Sequence, residues 1–434
     1  MFAFLSDGLC NLSHYDKIYL TDMHELLLGG TMMNKKFTAM MGALLIAAGI
    51  GMMPALEAAE PAQAVAPKAP FAYKQNSPSW QAFCQKYKLN PAVQGKRVIV
   101  DMDLTYLNDD CFTLFELLKL HQYGFIKLEG LSMVGANTLV AAATYDTLSV
   151  LDELGVRDIP VYMGTDKPLK GFKRTQKIVD SIGEMGYMGA YMKMDKYTKD
   201  YKLAMEKGIA TTYLDAPTLR PEDKGAVDFL VDSVKQHPGE VVIVALGGLM
   251  NVAKAIKKDK TFAENAAGIV YMGGVFDVPG EVIDNLEINW WFDPTAVNVC
   301  LQAPWKKQLV VPHDAATTCL KDNTFLSKYD GKNNSKIVEM IKRDLPRLYK
   351  ERPYENLHYF WDPITVAVMA CPDIITKSDV RDIAVEDKWG YGYANTFNWK
   401  AGKGPKHVGR GEVVLAIDGK LFYDFVTDLH ALED

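Results

Sequence analysis

The sequence predicts an α/β fold: an open, mostly parallel central sheet flanked by helices. Short runs of apolar, β-branched residues alternate with longer stretches of helical spacing, the rhythm of successive βα units. Two of those runs, "GEVVIVALGG" (239–248) and "AAGIVYMGGV" (266–275), are nearly continuously apolar, as strands are when helices cover both faces of their sheet. The polar clusters stand at the carboxyl ends of the runs, where ligands bind in folds of this class.

The elements follow in chain order. Residues 1–31 have no clean periodicity and precede what reads as a secretory signal, so the true start is expected at Met32 or Met33 and this upstream segment is left out of the fold. In residues 32–64, Lys35 and Lys36 precede an apolar stretch (37–53) and then small-residue sites near Ala58 and Ala64, the three-part layout of a signal peptide. The stretch is short for a spanning helix and is interrupted by Gly42, Gly49 and Gly51, so cleavage and export, periplasmic or secreted, are expected rather than a stable membrane anchor. Residues 65–80, rich in Pro and Ala, read as a tether, and 81–434 as one domain.

Within that domain "RVIVDMD" (97–103) is a strand, and 111–124 a helix ending at Gly124. A strand over 126–135 and a helix over 138–155, stopping at Gly155, follow. Further strands are expected at 159–164, 239–248, 266–275 and 308–314. Residues 165–235, rich in Lys, Tyr and Met, read as a long insertion or helical cap. The tail reads as short strands, "EVVLAID" and "KLFYDFV", with a closing helix.

Hydrophobic residues make up 48% and charged residues 24% of the 434, an ordinary globular balance. A net charge of −6 points to neither nucleic acid nor an anionic membrane surface. The expected mature chain keeps Cys84, Cys111, Cys300, Cys319 and Cys371, an odd count that leaves at least one thiol free, with Cys84 the exposed candidate. The absence of a CxxC or Cys/His cluster argues against zinc.

The chemistry concentrates in "VIVDMDLTYLNDD" (98–110). Asp101, Asp103, Asn108, Asp109 and Asp110 crowd one strand end, and carboxylates resist such crowding unless a counter-charge holds them. A hard divalent cation, calcium for example, takes six to eight oxygens and would use several of these acids at once. A second reading is the D-x-D-x-T motif of haloacid-dehalogenase-like phosphatases, with Asp101 as nucleophile and Asp103 as acid/base. That class needs a distant acidic pair for magnesium, and no convincing one follows.

Four further segments bear on the choice: "MVGAN" (133–137), "VALGGLMNVAKAI" (244–256), "IVYMGGVFDVPG…NLEINWWFDPTA" (269–296) and "HYFWDPITVAVM" (358–369). With the Asp cluster, in this order, they resemble the inosine-uridine-preferring nucleoside hydrolase family from residue 97 to the C-terminus. "DMDLTYLNDD" has the length of a longer form of the family's first motif, D-x-D-x-G-x-D-x-D-D, and departs from it at Leu104, Thr105 and Leu107.

The resemblance implies a calcium ion held by Asp103, Asp110 and Asp362 and by the backbone carbonyl of Met250, with Asp103 also placed to deprotonate the metal-bound water. It implies ribose contacts from Asp109, Asn137, Glu287 and Asn289, and a supporting role for Asp101. Glu287 and Asn289, two residues apart, are expected on one face of an extended segment; Asp293 before Pro294 reads as a helix cap. Asp362 also admits an N-cap reading. Where broadly specific members carry a His, this chain has Trp361. That resembles the purine-specific branch, in which tryptophan stacking makes the base a better leaving group. His313 and His358 are alternative acids, and Trp290, Trp291, Tyr187 and Tyr191 candidates for a second stacking partner.

The expected function is therefore hydrolysis of purine ribonucleosides to base and ribose by a homo-oligomer, dimer or tetramer. Hydrolysis of another N-riboside, and an exported nucleoside-binding protein with little turnover, remain alternatives.

Overall fold

A computed structural model describes residues 74–171, 180, 183, 187–282, 285–321, 324–351 and 359–434. The expected upstream segment, the signal and its cleavage sites, most of the tether, and His358 lie outside the described residues. Among those described, no helix is long and apolar enough to cross a membrane.

The architecture follows from period-2 strands and 3.6-period helices in succession. The chain runs α1 (Pro78–Lys86), β1 (Arg97–Met102), α2 (Asp109–Gln122), β2 (Lys127–Met133), α3 (Val140–Leu154), β3 (Val161–Met163), α4 (Ala226–Gln236), β4 (Val241–Ala245) and α5 (Met250–Lys258). It continues through β5 (Gly268–Met272), α6 (Ile288–Phe292), α7 (Pro294–Leu301), β6 (Gln308–Val311), α8 (Lys336–Glu351) and α9 (Trp361–Ala370), then β7 (Ile375–Val385), β8 (Thr396–Lys400), β9 (Gly409–Ile417) and α10 (Gly419–His430), with shorter helical turns between. The sheet order is β3-β2-β1-β4-β5-β6-β9-β7-β8. All neighbours from β3 through β9 pair in parallel, while β7 is antiparallel to both β9 and β8.

Both faces are covered, so β4 and β5 are buried throughout. Alternation sorts the side chains: Val98, Val100 and Met102 enter one core, Ile99 the other, beside Val241 and Ile243. The chain leaves β1 toward β2 and β3, then returns to place β4 on β1's other side. The carboxyl ends of β1 and β4 thus flank a crevice where the winding reverses, the place at which open α/β sheets bind ligands.

The structure corrects four expectations. The tether does not reach residue 80: Ser77 caps α1 by accepting from the Trp80 N–H, Pro78 suits the first turn, and buried Trp80 stacks on Phe83 and Tyr123 at 5.4 and 5.1 Å. The end of the expected insertion is an ordinary crossover helix, α4, whose Phe229 stacks on Tyr162 at 3.8 Å in space left by Gly130. "KLFYDFV" is helical, because Asp418 caps α10 and Phe422, Phe425, Val426 and Leu429 repeat at helical spacing toward the core. The strand at 308–314 stops at Val311, and a short helix begins at His313. Cys84 is the exposed thiol; Cys111, Cys300, Cys319 and Cys371 are buried, and all five are unbridged.

Candidate active site

The site grows from the end of β1. Asp103 follows the last β1 residue and is fully buried. Its Oδ2 accepts from the Asn137 N–H at 2.5 Å, which ties the loop after β1 to the loop after β2. Six and seven residues on, Asp109 and Asp110 open α2, where the unpaired N–H groups of the first turn favour negative charge. Asp362, the second residue of α9, arrives from far along the chain. Oxygens of Asp109, Asp110 and Asp362 all lie within 4.8 Å of one another. Asp103 joins them electrostatically, since its charge raises the pKa of both Asp110 and Asp362. The remote tail acid therefore meets the strand-end acids.

Burial first, then the like charges, pushes Asp110 and Asp362 well above the usual carboxylate range. Burial raises Asp103 to about 7, opposed by its bond from Asn137 and reinforced by the charge of Asp109. No lysine or arginine among the described residues pairs with Asp103, Asp110 or Asp362. Oδ1 of each of these three acids is buried without a hydrogen-bond partner. Orphaned, convergent carboxylate oxygens fit a hard divalent cation. The backbone approaches closely here as well: a Cβ on Gly247 would sit 2.8 Å from Asp103 Oδ1, and Met250, buried, opens α5 three residues later.

Beneath the acids, Asp101 accepts from Ser132 and, at 2.8 Å, from Asn251 Nδ2, which also donates to the Met133 carbonyl at 2.9 Å. Asn251 Oδ1 takes the Thr165 N–H. Asp101 so joins β1, β2 and the helix that Met250 begins, while burial lifts its own pKa to about 7.

Residues 98–424 match the family described as inosine-uridine preferring nucleoside hydrolase. The chain belongs to that family. A probable uridine nucleosidase of Oryza sativa subsp. japonica is 27% identical over 291 residues, 66% of this chain and 80% of the relative. A plant nucleoside hydrolase of known structure has a TM-score of 0.62 at 24% identity, over 78% of this chain and 99% of that one. A purine-preferring ribonucleoside hydrolase from Gardnerella vaginalis has 0.60 at 21% identity, over 78% and 99%. These structural likenesses establish the fold, a mostly parallel sheet flanked by helices. Family membership supports hydrolysis of the N-glycosidic bond of nucleosides as the chain's chemistry, in place of the phosphatase reading of D-x-D-x-T.

Around the acids the nucleoside hydrolase arranges the other expected residues. Asn137 carries Tyr187 on its side-chain and backbone oxygens, each at 3.3 Å. Glu287 and Asn289 do not share an extended face: Glu287 caps α6, accepting from the N–H groups of Asn289 (2.7 Å), Trp290 (3.0 Å) and Gly274 (2.8 Å), and Asn289 lies in the helix. The first-turn donors of this short helix are thus taken by side chains, those of Asn289 and Trp290 by Glu287 and that of Ile288 by Glu281. Asn289 donates to the Leu246 carbonyl at 2.8 Å and keeps Oδ1 buried without a partner. Asp293 caps α7 through Ala296 N. Asp362 lies inside its helix, with Phe360 at the cap position.

Trp361 is half-buried at the start of α9, its Nε1 donating to His313 Nδ1 at 2.8 Å. Trp290 and Trp291 are core residues, Trp290 lying against Gly273 and Gly274, where a Cβ would collide with its ring. Tyr191 is also buried, edge-on to Trp291. All three lie within the apolar core.

Glu281 escaped the sequence reading. Its Oε1 accepts from Ile288 N at 3.0 Å and its Oε2 lies 3.8 Å from His313 Nδ1. Burial and the charges of Glu287 and Asp109 hold its pKa well above normal. It sits in the loop beyond β5, outside any strand or helix, where no periodicity marks it.

Proposed function

We propose that this nucleoside hydrolase cleaves purine ribonucleosides to free base and ribose, with calcium as its metal, and that it works outside the cytosol as a homo-oligomer after loss of residues 32–64. The observation that carries the purine reading is the half-buried indole of Trp361 beside Asp362. A flat, extended base gains more from an indole face than a single-ring base does. The rice relative is named for uridine and the Gardnerella protein for purines, so the choice rests on this chain's own residues.

Asp103, Asp110 and Asp362, with the Met250 carbonyl, are the groups we assign to the cation. When bound, it neutralises the carboxylates and acidifies a water molecule. Asp103 Oδ1, which has no protein partner, takes the attacking water's proton. The water oxygen bonds to the anomeric carbon as the bond to the base nitrogen breaks, and the electron pair leaves with the base. Asp109 and Asn137 orient the ribose hydroxyls. Asn289 offers its unpartnered Oδ1, and Glu287, with three N–H donors already bound, keeps acceptor capacity for a sugar hydroxyl. The carboxylates stabilise the positive charge that develops on the ribose.

The test is base release by the EDTA-treated, purified protein after return of calcium, magnesium, manganese or zinc. Activity restored best by calcium, and kcat/KM for inosine at least about tenfold above that for uridine, is expected. Equal or faster uridine hydrolysis overturns the purine reading, and undiminished activity in EDTA overturns the metal. N-terminal sequencing of the cell-derived protein checks the processing.

A further inference from the structure

We infer that His313 is a positioning residue for base specificity: it fixes the Trp361 indole as a pure stacking surface by binding the ring's only N–H. The inference rests on Trp361 facing the base, as proposed above. The bond from Trp361 Nε1 to His313 Nδ1 is 2.8 Å long, and the two rings lie 6.0 Å apart, inclined by 27°. Tyr359 braces both, edge-on to His313 at 5.2 Å and to Trp361 at 5.5 Å.

His313 is itself held at both ends. Its N–H donates to the Gly274 carbonyl at 2.9 Å, and the Gly274 N–H donates to Glu287 at 2.8 Å. A continuous strut therefore runs from the ribose-side carboxylate, through one glycine, to the imidazole and on to the indole. It sets the separation between the sugar grip and the base wall. Asp314 secures the same junction by accepting from Phe276 N and Asp277 N.

The bond also fixes the histidine's chemistry. A ring that accepts at Nδ1 carries its proton on Nε2 and is neutral. Burial, which lowers its pKa to about 4, agrees with that state. His313 is then no cationic acid at neutral pH, contrary to one expectation from the sequence. With its donor occupied, Trp361 recognises a base by its face alone, which favours the larger ring system.

Four variants of the full chain, assayed with inosine and uridine, test this. H313L removes the acceptor; H313N keeps an acceptor oxygen near the place of Nδ1; W361F keeps an aromatic face without the N–H; W361A removes the face. H313L is expected to lower kcat/KM for inosine about tenfold and for uridine no more than about threefold, H313N to restore most of the difference, and H313L in the W361F background to cost nothing further. Equal losses on both substrates, failure of H313N to restore the ratio, or an undiminished H313L effect in W361F overturns the inference. If H313L does not fold, H313N decides: a wild-type inosine/uridine ratio supports it and a collapsed ratio overturns it. An unchanged ratio in W361A instead overturns the stacking reading itself.

Discussion

Replacing Asp362 by Asn removes one charge from the acidic cluster with almost no change in shape. Two unit charges 4.8 Å apart, the outer limit for Asp109, Asp110 and Asp362, repel by about 3.5 kcal/mol at an effective dielectric constant near 20. Without metal, D362N relieves two such repulsions, tempered by the proton these raised carboxyls already hold. With metal, it removes a ligand charge whose attraction to a divalent ion is larger still, and at least about a hundredfold weaker binding is expected. At calcium one hundred times the wild-type Kd, the wild type gains about 2.7 kcal/mol and the variant only about 0.4. For a folded body of this size the unfolding entropy is roughly 0.75 kcal/mol/K, so calcium raises the wild-type Tm by about 3–4 °C and the variant's by under about 1 °C. Melting curves in EDTA and in calcium read this directly. In EDTA, D362N should melt no lower than the wild type. A lower Tm in EDTA together with an undiminished calcium gain would refute the convergence of these acids on a cation.

Three other outcomes follow from the geometry. The metal-free protein should lose stability as pH rises: acids raised in the folded state stabilise below about pH 4, and that contribution is lost on passing about 7, where Asp101 alone accounts for up to about 4 kcal/mol; denaturant midpoints in EDTA from pH 4.5 to 8 measure it, and a rising midpoint contradicts it. G247A places a methyl 2.8 Å from Asp103 Oδ1 and should lower kcat about a hundredfold while Tm in EDTA moves little. W80A should cost about 3–5 kcal/mol by urea unfolding, because the ring is packed between Phe83 and Tyr123; a loss under about 1 kcal/mol would show that the first helix is a dispensable arm.

What was legible in the sequence was what has a period or a motif. The parallel strands appeared because burial on both faces leaves them apolar from end to end, as in β4 and β5. The acids at 103, 109 and 110 appeared because so many charges at one strand end are costly without a purpose, whereas Asp362, alone in "HYFWDPITVAVM", appeared only through the family resemblance. Strand β7 escaped because its first half, "ITKSDV", is exposed and polar, and its pairing with β9 depends on residues some thirty positions away. The helical nature of 288–292 escaped because it depends on a side-chain cap, Glu287, that the same sequence also allows as an extended segment. The role of His313 escaped because its partner stands 48 positions distant.

Assembly of the sheet has a further consequence at the acidic cluster. Asp110 and Asp362 bracket about 250 residues, and joining such distant points costs the unfolded chain several kcal/mol of entropy. A partly folded or clipped chain would not gather these oxygens, so cation occupancy would mark completion of the whole central sheet, not the state of any one loop. Stored without its ion, the finished fold would be a sprung latch, kept shut by the surrounding core against the mutual repulsion of its own side chains.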